Sequence, residues 1–159
     1  MLADACDHAK VHDSRIQVRH ASIADADAVA GLAGDLAMSF AFSREQFDVS
    51  YPALLDADGA CLLLAVSGDD YLGYLLGFRH FTFYANGPVA WVEEILVSRE
   101  QRGRGVGRAL MTAFEQWSAG HDCVLVALAT RRAMPFYLAL GYEESATYLR
   151  KVLSDEAAR

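Results

Sequence analysis

Cysteine is scarce in this sequence of 159 residues: Cys6, Cys61 and Cys123 are its three. An odd number, widely spaced and without a paired motif, argues against a disulfide scaffold or a zinc site. Positive charge is also in short supply. Fourteen Lys and Arg stand against 21 Asp and Glu, for a formal net charge of −7. That argues against a general nucleic-acid binder, which needs a basic footprint to neutralise phosphates. No apolar run approaches the roughly 18 residues that a membrane span requires, and there is no internal repeat or low-complexity tract. Residues 1–15 carry Asp4, Asp7, His8, Lys10 and Asp13 without an apolar stretch, so they read as a polar tail and not as a signal peptide. Residues 16–159 then form one domain, within the usual span of about 100–200 residues. Their 53% apolar content is too high for a disordered chain. The expected setting is soluble, reducing and cytoplasmic.

Patterning along the domain predicts alternating elements. Ile16–His20 alternates as a strand. Ser22 and Asp25 offer caps for a helix over Ala24–Phe40, where Ala28, Val29, Leu32, Leu36 and Phe40 share a face. A weaker helix spans Arg44–Leu55, interrupted at Tyr51-Pro52. Strands follow at Cys61–Val66, Tyr71–Tyr84 and Val89–Val97, separated by the turns Ser67-Gly68-Asp69-Asp70 and Ala85-Asn86-Gly87-Pro88. Val106, Ala109, Leu110, Ala113, Phe114 and Trp117 recur at helical spacing up to a stop at Gly120. Cys123–Ala129 reads as a strand covered on both faces, Met134–Leu140 as a short helix, and Tyr142–Tyr148 with Arg150–Leu153 as a closing hairpin. The order, an antiparallel meander and then a β-α-β crossover, predicts an α/β fold with a mixed sheet.

The strongest feature is Gln101-Arg102-Gly103-Arg104-Gly105-Val106-Gly107-Arg108, between a strand and a helix. The first amides of a helix have no backbone partner, and the helix dipole adds partial positive charge there. Glycines admit a ligand close to the backbone, and Arg102, Arg104 and Arg108 concentrate positive charge in an acidic chain. A phosphate-bearing ligand is the expected guest. A P-loop is excluded, because Gly107 is followed by Arg108-Ala109 where that motif needs Lys-Ser/Thr. A dinucleotide fingerprint is excluded too, because the spacing is G-x-G-x-G and the loop does not follow the first strand of a β-α-β unit. The plain alternative is a tight strand-to-helix turn that binds nothing.

Arg102-Gly103-Arg104-Gly105-Val106-Gly107 matches the Q/R-x-x-G-x-G/A signature of the GNAT family of N-acetyltransferases, which the chain resembles from Ile16 to about Leu153. A second segment agrees: Ala133-Met134-Pro135-Phe136-Tyr137-Leu138-Ala139-Leu140-Gly141-Tyr142 is similar to the family's A-x-x-F-Y-x-x-x-G-F/Y. The resemblance implies a mostly antiparallel mixed sheet of six or seven strands, a splayed parallel strand pair and about four helices. It implies acetyl-CoA as co-substrate and no metal, with pyrophosphate on the amides of about Gly103 to Ala109. The pantetheine arm would then lie against Leu96 and Val97. The Val97 N–H would hold the thioester oxygen and the oxyanion of the tetrahedral intermediate. Tyr137 takes the place of the family's tyrosine beside the sulfur, as proton donor to the leaving thiolate. Many members have Asn three residues before the Ala of the second segment, where it helps hold pantetheine; here that position is Thr130, the expected cofactor-binding residue in its place.

Glu93 is the expected base, acting directly or through water. A carboxylate in an apolar strand needs partners or a job. Simple alternation puts Glu93 on one face with Trp91 and Ile95, and Glu94 on the other. The family's polyamine-acetylating branch has a similar acidic pair whose first member is the base. The acceptor side is expected among Phe40, Phe42, Phe47, Tyr51, His80, Phe81, Phe83, Tyr84 and Trp91. Aromatic and acidic groups suit a cationic amine. The expected reaction is direct attack of a small-molecule primary amine on acetyl-CoA in a ternary complex. The competing readings are acetylation of a protein or peptide amine and a non-catalytic acyl-CoA sensor. Neither nucleic acid nor membrane is an expected partner. Dimers are common among such enzymes, and the closing hairpin (Tyr142, Tyr148, Leu149, Val152, Leu153) is the candidate homodimer interface.

Overall fold

The computed structural model describes residues 15–36 and 40–153, so the expected tail, Arg15 apart, lies outside the described residues. The strands are β1 (Gln17–His20), β2 (Ala60–Ser67), β3 (Asp70–Thr82), β4 (Gly87–Val97) and β5 (Val126–Leu128). They form one sheet in the order β1-β2-β3-β4-β5. Neighbours are antiparallel except β4 and β5, which are parallel. The helices are α1 (Ala26–Leu36), α2 (Arg44–Asp56), α3 (Val106–Gly120) and α4 (Met134–Leu138).

Alternation along β2, β3 and β4 gives the sheet two apolar faces, each covered by helices. On one face Cys61, Leu63, Leu75, Ala90 and Val92 pack with Val106, Leu110, Met111 and Phe114 of α3 and Tyr137 of α4. On the other, Leu62, Leu64, Tyr74, Leu76 and Leu96 pack with Val29 and Leu32 of α1 and Tyr51 of α2. Gly77 is what lets α3 come so close. A Cβ there would run into the Phe114 ring and sit 2.8 Å from the Trp91 carbonyl oxygen.

Several boundaries differ from the sequence reading. The helix expected over Ala24–Phe40 begins as a 3-10 turn, Ile23–Asp25, and α1 is described to Leu36 with Phe40 exposed. Ser22 and Asp25, expected as caps, form a capping box together. Helix α2 runs through Pro52 without interruption. The Tyr51 ring is buried and its hydroxyl donates to the Ser22 carbonyl at 2.7 Å, which holds the segment that proline would otherwise break. Among the described residues the sheet has five strands and not six or seven. The expected closing hairpin is absent, since residues 143–153 form no strand and lie exposed. Strand β5, only three residues long and half-buried at the sheet edge, offers too short a ladder to recruit it.

The start of α1 is tied to β1 by a buried carboxylate. Asp25 accepts from Arg19 at 2.7 and 2.8 Å, from the Ser22 amide and hydroxyl at 2.8 Å, and from the Tyr71 hydroxyl at 3.1 Å. The guanidinium and these donors hold its pKa well below the carboxylate range despite burial. Stability from Asp25 is therefore full above its unfolded pKa of about 4 and is lost as pH falls further. Asp25→Asn should cost about 2 kcal/mol at pH 7, with the gap to wild type narrowing at pH 3. Urea unfolding at both pH values checks this; an equal gap at both would show that the ionised form contributes nothing.

Candidate active site

Strands β4 and β5 pair at only three positions, Ala90 with Val126, Trp91 with Ala127 and Val92 with Leu128. Beyond Val92 the two strands part, while β4 continues to Val97 beside β3. The Ser98 amide donates to Leu72 of β3 at 2.9 Å. By strand alternation the backbone groups of Val97, and of Ile95 before it, face the opposite way, into the wedge left by β5. Leu96 turns its backbone toward β3 and buries its side chain under α1 and α2, so it packs and does not offer a donor. Ile95 is the wedge residue that the sequence reading missed; period-two alternation counted back from Val97 would have found it.

The glycine loop closes the end of the wedge. A 3-10 turn, Arg99–Gln101, leads to Gly103 and Gly105 at φ 75° and 89°, left-handed values that suit glycine. Gly105 is the N-cap of α3, and the first helical bond runs from the Ala109 amide to the Gly105 carbonyl at 3.0 Å. The amides of Val106, Gly107 and Arg108 precede that bond and have no intrahelical partner. No side chain caps them, and a Cβ on Gly103 or Gly105 would meet nothing within 4 Å. The result is an open cradle of amide donors at a helix N-terminus. Arg102 spends its Nε on the Val97 carbonyl at 3.2 Å, which closes the loop onto the strand end. Arg104 bonds Gln101 at 2.9 Å, and Arg104 and Arg108 are both exposed beside the cradle. Ala109 is the donor of the first helical bond, so its amide is already used. That corrects the expected donor range, which ends at Arg108.

Helix α4 packs against the same end of α3. A Cβ on Gly107 would lie 3.2 Å from Phe136 and 3.7 Å from Val97, so glycine is what lets loop, strand end and α4 converge. Thr130 accepts the Ala133 amide at 3.1 Å and so shapes the turn into α4. Tyr137 is 7% exposed, with the rings of Phe136 and Tyr142 edge-on at 4.9 and 5.9 Å. Among the described residues nothing hydrogen-bonds its hydroxyl, and burial raises its pKa, which keeps the phenol protonated.

The acidic pair differs from simple alternation. The β3 register passes from Leu76 opposite Glu94 to Gly77 opposite Val92, which leaves Glu93 as the extra residue of a β-bulge. Glu94 therefore shares the α1/α2 face with Trp91 and Leu96, and Ile95 lies on the other. Glu93 is exposed, whereas Glu94 is half-buried and accepts from the Tyr74 hydroxyl at 2.7 Å.

The expected acceptor-side aromatics divide. Tyr51 is core, and Phe47 stacks on it at 5.1 Å with Phe42 beyond at 5.8 Å. His80, Phe81, Phe83 and Tyr84 lie at the β3–β4 hairpin, the far end of β4 from Val97, and are exposed. A shallow cavity of about 450 Å³ there is lined by Phe81, Thr82, Phe83, Asn86 and Gly87. Trp91, half-buried, stacks with Tyr148 at 6.5 Å.

The chain has relatives among known proteins. The family model described as Acetyltransferase (GNAT) family matches residues 32–142. The chain belongs to the GNAT acetyltransferase family. It is 32% identical over 116 residues to aminoglycoside N(6')-acetyltransferase type 1 of Stenotrophomonas maltophilia, a match covering 66% of this chain and 74% of the relative. Among solved structures it superposes with TM-score 0.80 on an integron cassette protein from the Cole Harbour salt marsh metagenome, at 24% identity over 90% of this chain and 94% of the other. It superposes with TM-score 0.76 on an aminoglycoside acetyltransferase solved with the bisubstrate analogue CoA-S-monomethyl-acetylneamine, at 22% identity over 87% and 99% of the two chains. This GNAT protein is an acetyl-CoA-dependent N-acetyltransferase, and acetyl-CoA is its co-substrate. The cradle's amide donors and flanking arginines fit a pyrophosphate. Among the described residues no group of three His, Cys, Asp or Glu is placed to hold a metal, and no helix is long and apolar enough to cross a membrane.

Acetyl-CoA should raise the melting temperature in a saturable way, by the equivalent of about 2.7 kcal/mol at a hundred times Kd. Pantetheine, which lacks the phosphates, should give a much smaller shift, and Gly105→Val should weaken the acetyl-CoA shift by straining the positive φ. Equal shifts for the two ligands would remove the loop from phosphate binding.

Proposed function

We propose that the enzyme transfers acetyl from acetyl-CoA to a primary amine of a small cationic molecule, by direct attack in a ternary complex. The observation that carries this reading is the wedge beyond Val92, with a helix N-terminal cradle at its end and Tyr137 buried beside it. Pyrophosphate is held by the amides of Gly103 to Arg108, flanked by Arg104 and Arg108. Arg102, already bonded to Val97, and Thr130, at the turn into α4, serve by shaping that surface. The acyl and pantetheine portion lies in the wedge along Ile95 and Val97.

The acceptor enters as an ammonium and must lose a proton. Glu93, exposed at the bulge, takes it directly or through water. The amine nitrogen attacks the thioester carbon, and the Val97 N–H steadies the oxyanion. When the tetrahedral intermediate collapses, the C–S bond breaks and Tyr137 delivers a proton to the thiolate. The products are the N-acetyl amide and CoA thiol, with one proton released to solvent.

An aminoglycoside bearing a free 6'-amine is the first acceptor to test, on the ground of the Stenotrophomonas relative. A protein or peptide amine, and a sensor without turnover, are the competing readings. Free thiols at Cys61 and Cys123 suit a reducing compartment, in line with a cytoplasmic enzyme. A homodimer through the exposed apolar residues Tyr148, Leu149 and Leu153 is also part of the proposal. Light scattering should give twice the monomer mass, and Leu149→Asp with Leu153→Asp should return it to one; a monomeric wild type would refute the dimer.

Tyr137→Phe should lower kcat about a hundredfold while the acetyl-CoA melting shift is kept. Steady-state kinetics and thermal unfolding of the same preparation check both halves. Unchanged turnover would remove Tyr137 from the chemistry, and a wild type that binds acetyl-CoA but acetylates no amine would favour the sensor.

A further inference from the structure

We infer that Glu94, fixed by Tyr74, is the specificity-determining anion that holds a second positive charge of the acceptor, while Glu93 is left for proton removal. The inference rests on the acetyl-transfer reading above and deepens it. It begins with the bulge. One extra residue at Glu93 turns Glu94 onto the α1/α2 face with Trp91 and Leu96. Helices α1 and α2 bury Leu64, Tyr74 and Leu96 on that face but leave Glu94 and Trp91 half-exposed. Glu94 thus stands at a gap in the cover, two residues past the last β4–β5 pair, Val92 with Leu128.

The second observation is how Glu94 is held. Tyr74 is 1% exposed and rigidly packed, and its hydroxyl donates to Glu94 Oε2 at 2.7 Å. Among the described residues nothing bonds Oε1, and no Lys, Arg or His pairs with Glu94. Asp25, a buried carboxylate at the start of these helices, has by contrast a bidentate arginine. A half-buried carboxylate oriented by one neutral donor and lacking a cation is a preorganised counter-ion. Trp91 on the same face adds an aromatic surface suited to an ammonium. Glu93, next to it, is exposed and open to water. Two adjacent carboxylates are thereby given different tasks by one bulge and one phenol.

The experiment compares wild type with Glu94→Gln, Tyr74→Phe and Glu93→Gln. The acceptors are a 6'-amino aminoglycoside, the triamine spermidine and the monoamine butylamine. Glu94→Gln should raise KM for the two polycations about tenfold. It should leave butylamine, the KM of acetyl-CoA and the pH limb of kcat unmoved. Tyr74→Phe should raise the same KM values by a smaller factor, and Glu93→Gln should lower kcat instead. Urea unfolding verifies that the variants are folded. Calorimetric titration of spermidine into wild type and Glu94→Gln reads the anchor without turnover. Weaker binding in the variant supports it even if no amine is acetylated, an outcome that would fail the acetyl-transfer reading alone. Unchanged polycation KM and binding in Glu94→Gln would overturn the inference. So would a loss of kcat and of its pH limb at constant KM, which would make Glu94 the base.

Discussion

The structure depends on a ladder that stops. Strands β4 and β5 share only three parallel pairs before they part at Val92 and Leu128. Beyond that point Ile95 and Val97 of β4 have backbone groups facing no strand. Backbone polar groups inside a sheet are costly to leave unpaired, so such an opening persists only where something else satisfies it. Part of the answer is internal: Arg102 takes the Val97 carbonyl. The Val97 amide on the same edge faces no strand, and the cradle at the start of α3 adds more amide donors at the end of the same opening. The wedge also fixes where α3 and α4 sit. Phe114 packs against the backbone of β3 at Gly77, and Phe136 packs against Gly107 at the start of α3. The anion cradle and the buried Tyr137 are therefore parts of one packed unit.

What was legible in the sequence was local. Glycines at positive φ before a helix with a clear apolar stripe announce the loop, because left-handed backbone and helical periodicity are properties of adjacent residues. The segment around Phe136-Tyr137 was legible through its resemblance to a family motif, which is likewise a run of adjacent residues. What was not legible depends on partners distant in the chain. The run Cys123–Ala129 is apolar enough to suggest a strand covered on both faces, but only Val126–Leu128 pairs, at the sheet edge. Tyr148, Leu149, Val152 and Leu153 alternate well enough to suggest a hairpin, yet no ladder receives them.

The bulge at Glu93 marks the limit of pattern reading most clearly. A one-residue insertion reverses which side chain faces which layer, and nothing in Val92-Glu93-Glu94-Ile95 distinguishes it from a regular strand. The signal lies across the strand, at Gly77 of β3, where the pairing skips a residue and the Phe114 ring leaves no room for a Cβ. A glycine in an otherwise bulky strand hints at such an irregularity, but not at which neighbouring strand carries it.

The two faces of the sheet carry different constraints. On the α3 face, cradle, Phe136 and Tyr137 are interlocked, and Tyr142 adds a further tie by donating to Glu115 of α3 at 2.9 Å. A change there moves the cradle and Tyr137 together. On the α1/α2 face the cover is thinner, and its polar ties, Arg19 with Asp25 and Arg44 with Asp27 and Asp48, lie away from β4. The Tyr74–Glu94 hydrogen bond is the tie on that face that reaches β4. If the proposed acceptor side lies on that face, the sheet itself separates the parts that hold the acyl donor from the parts that choose the acceptor.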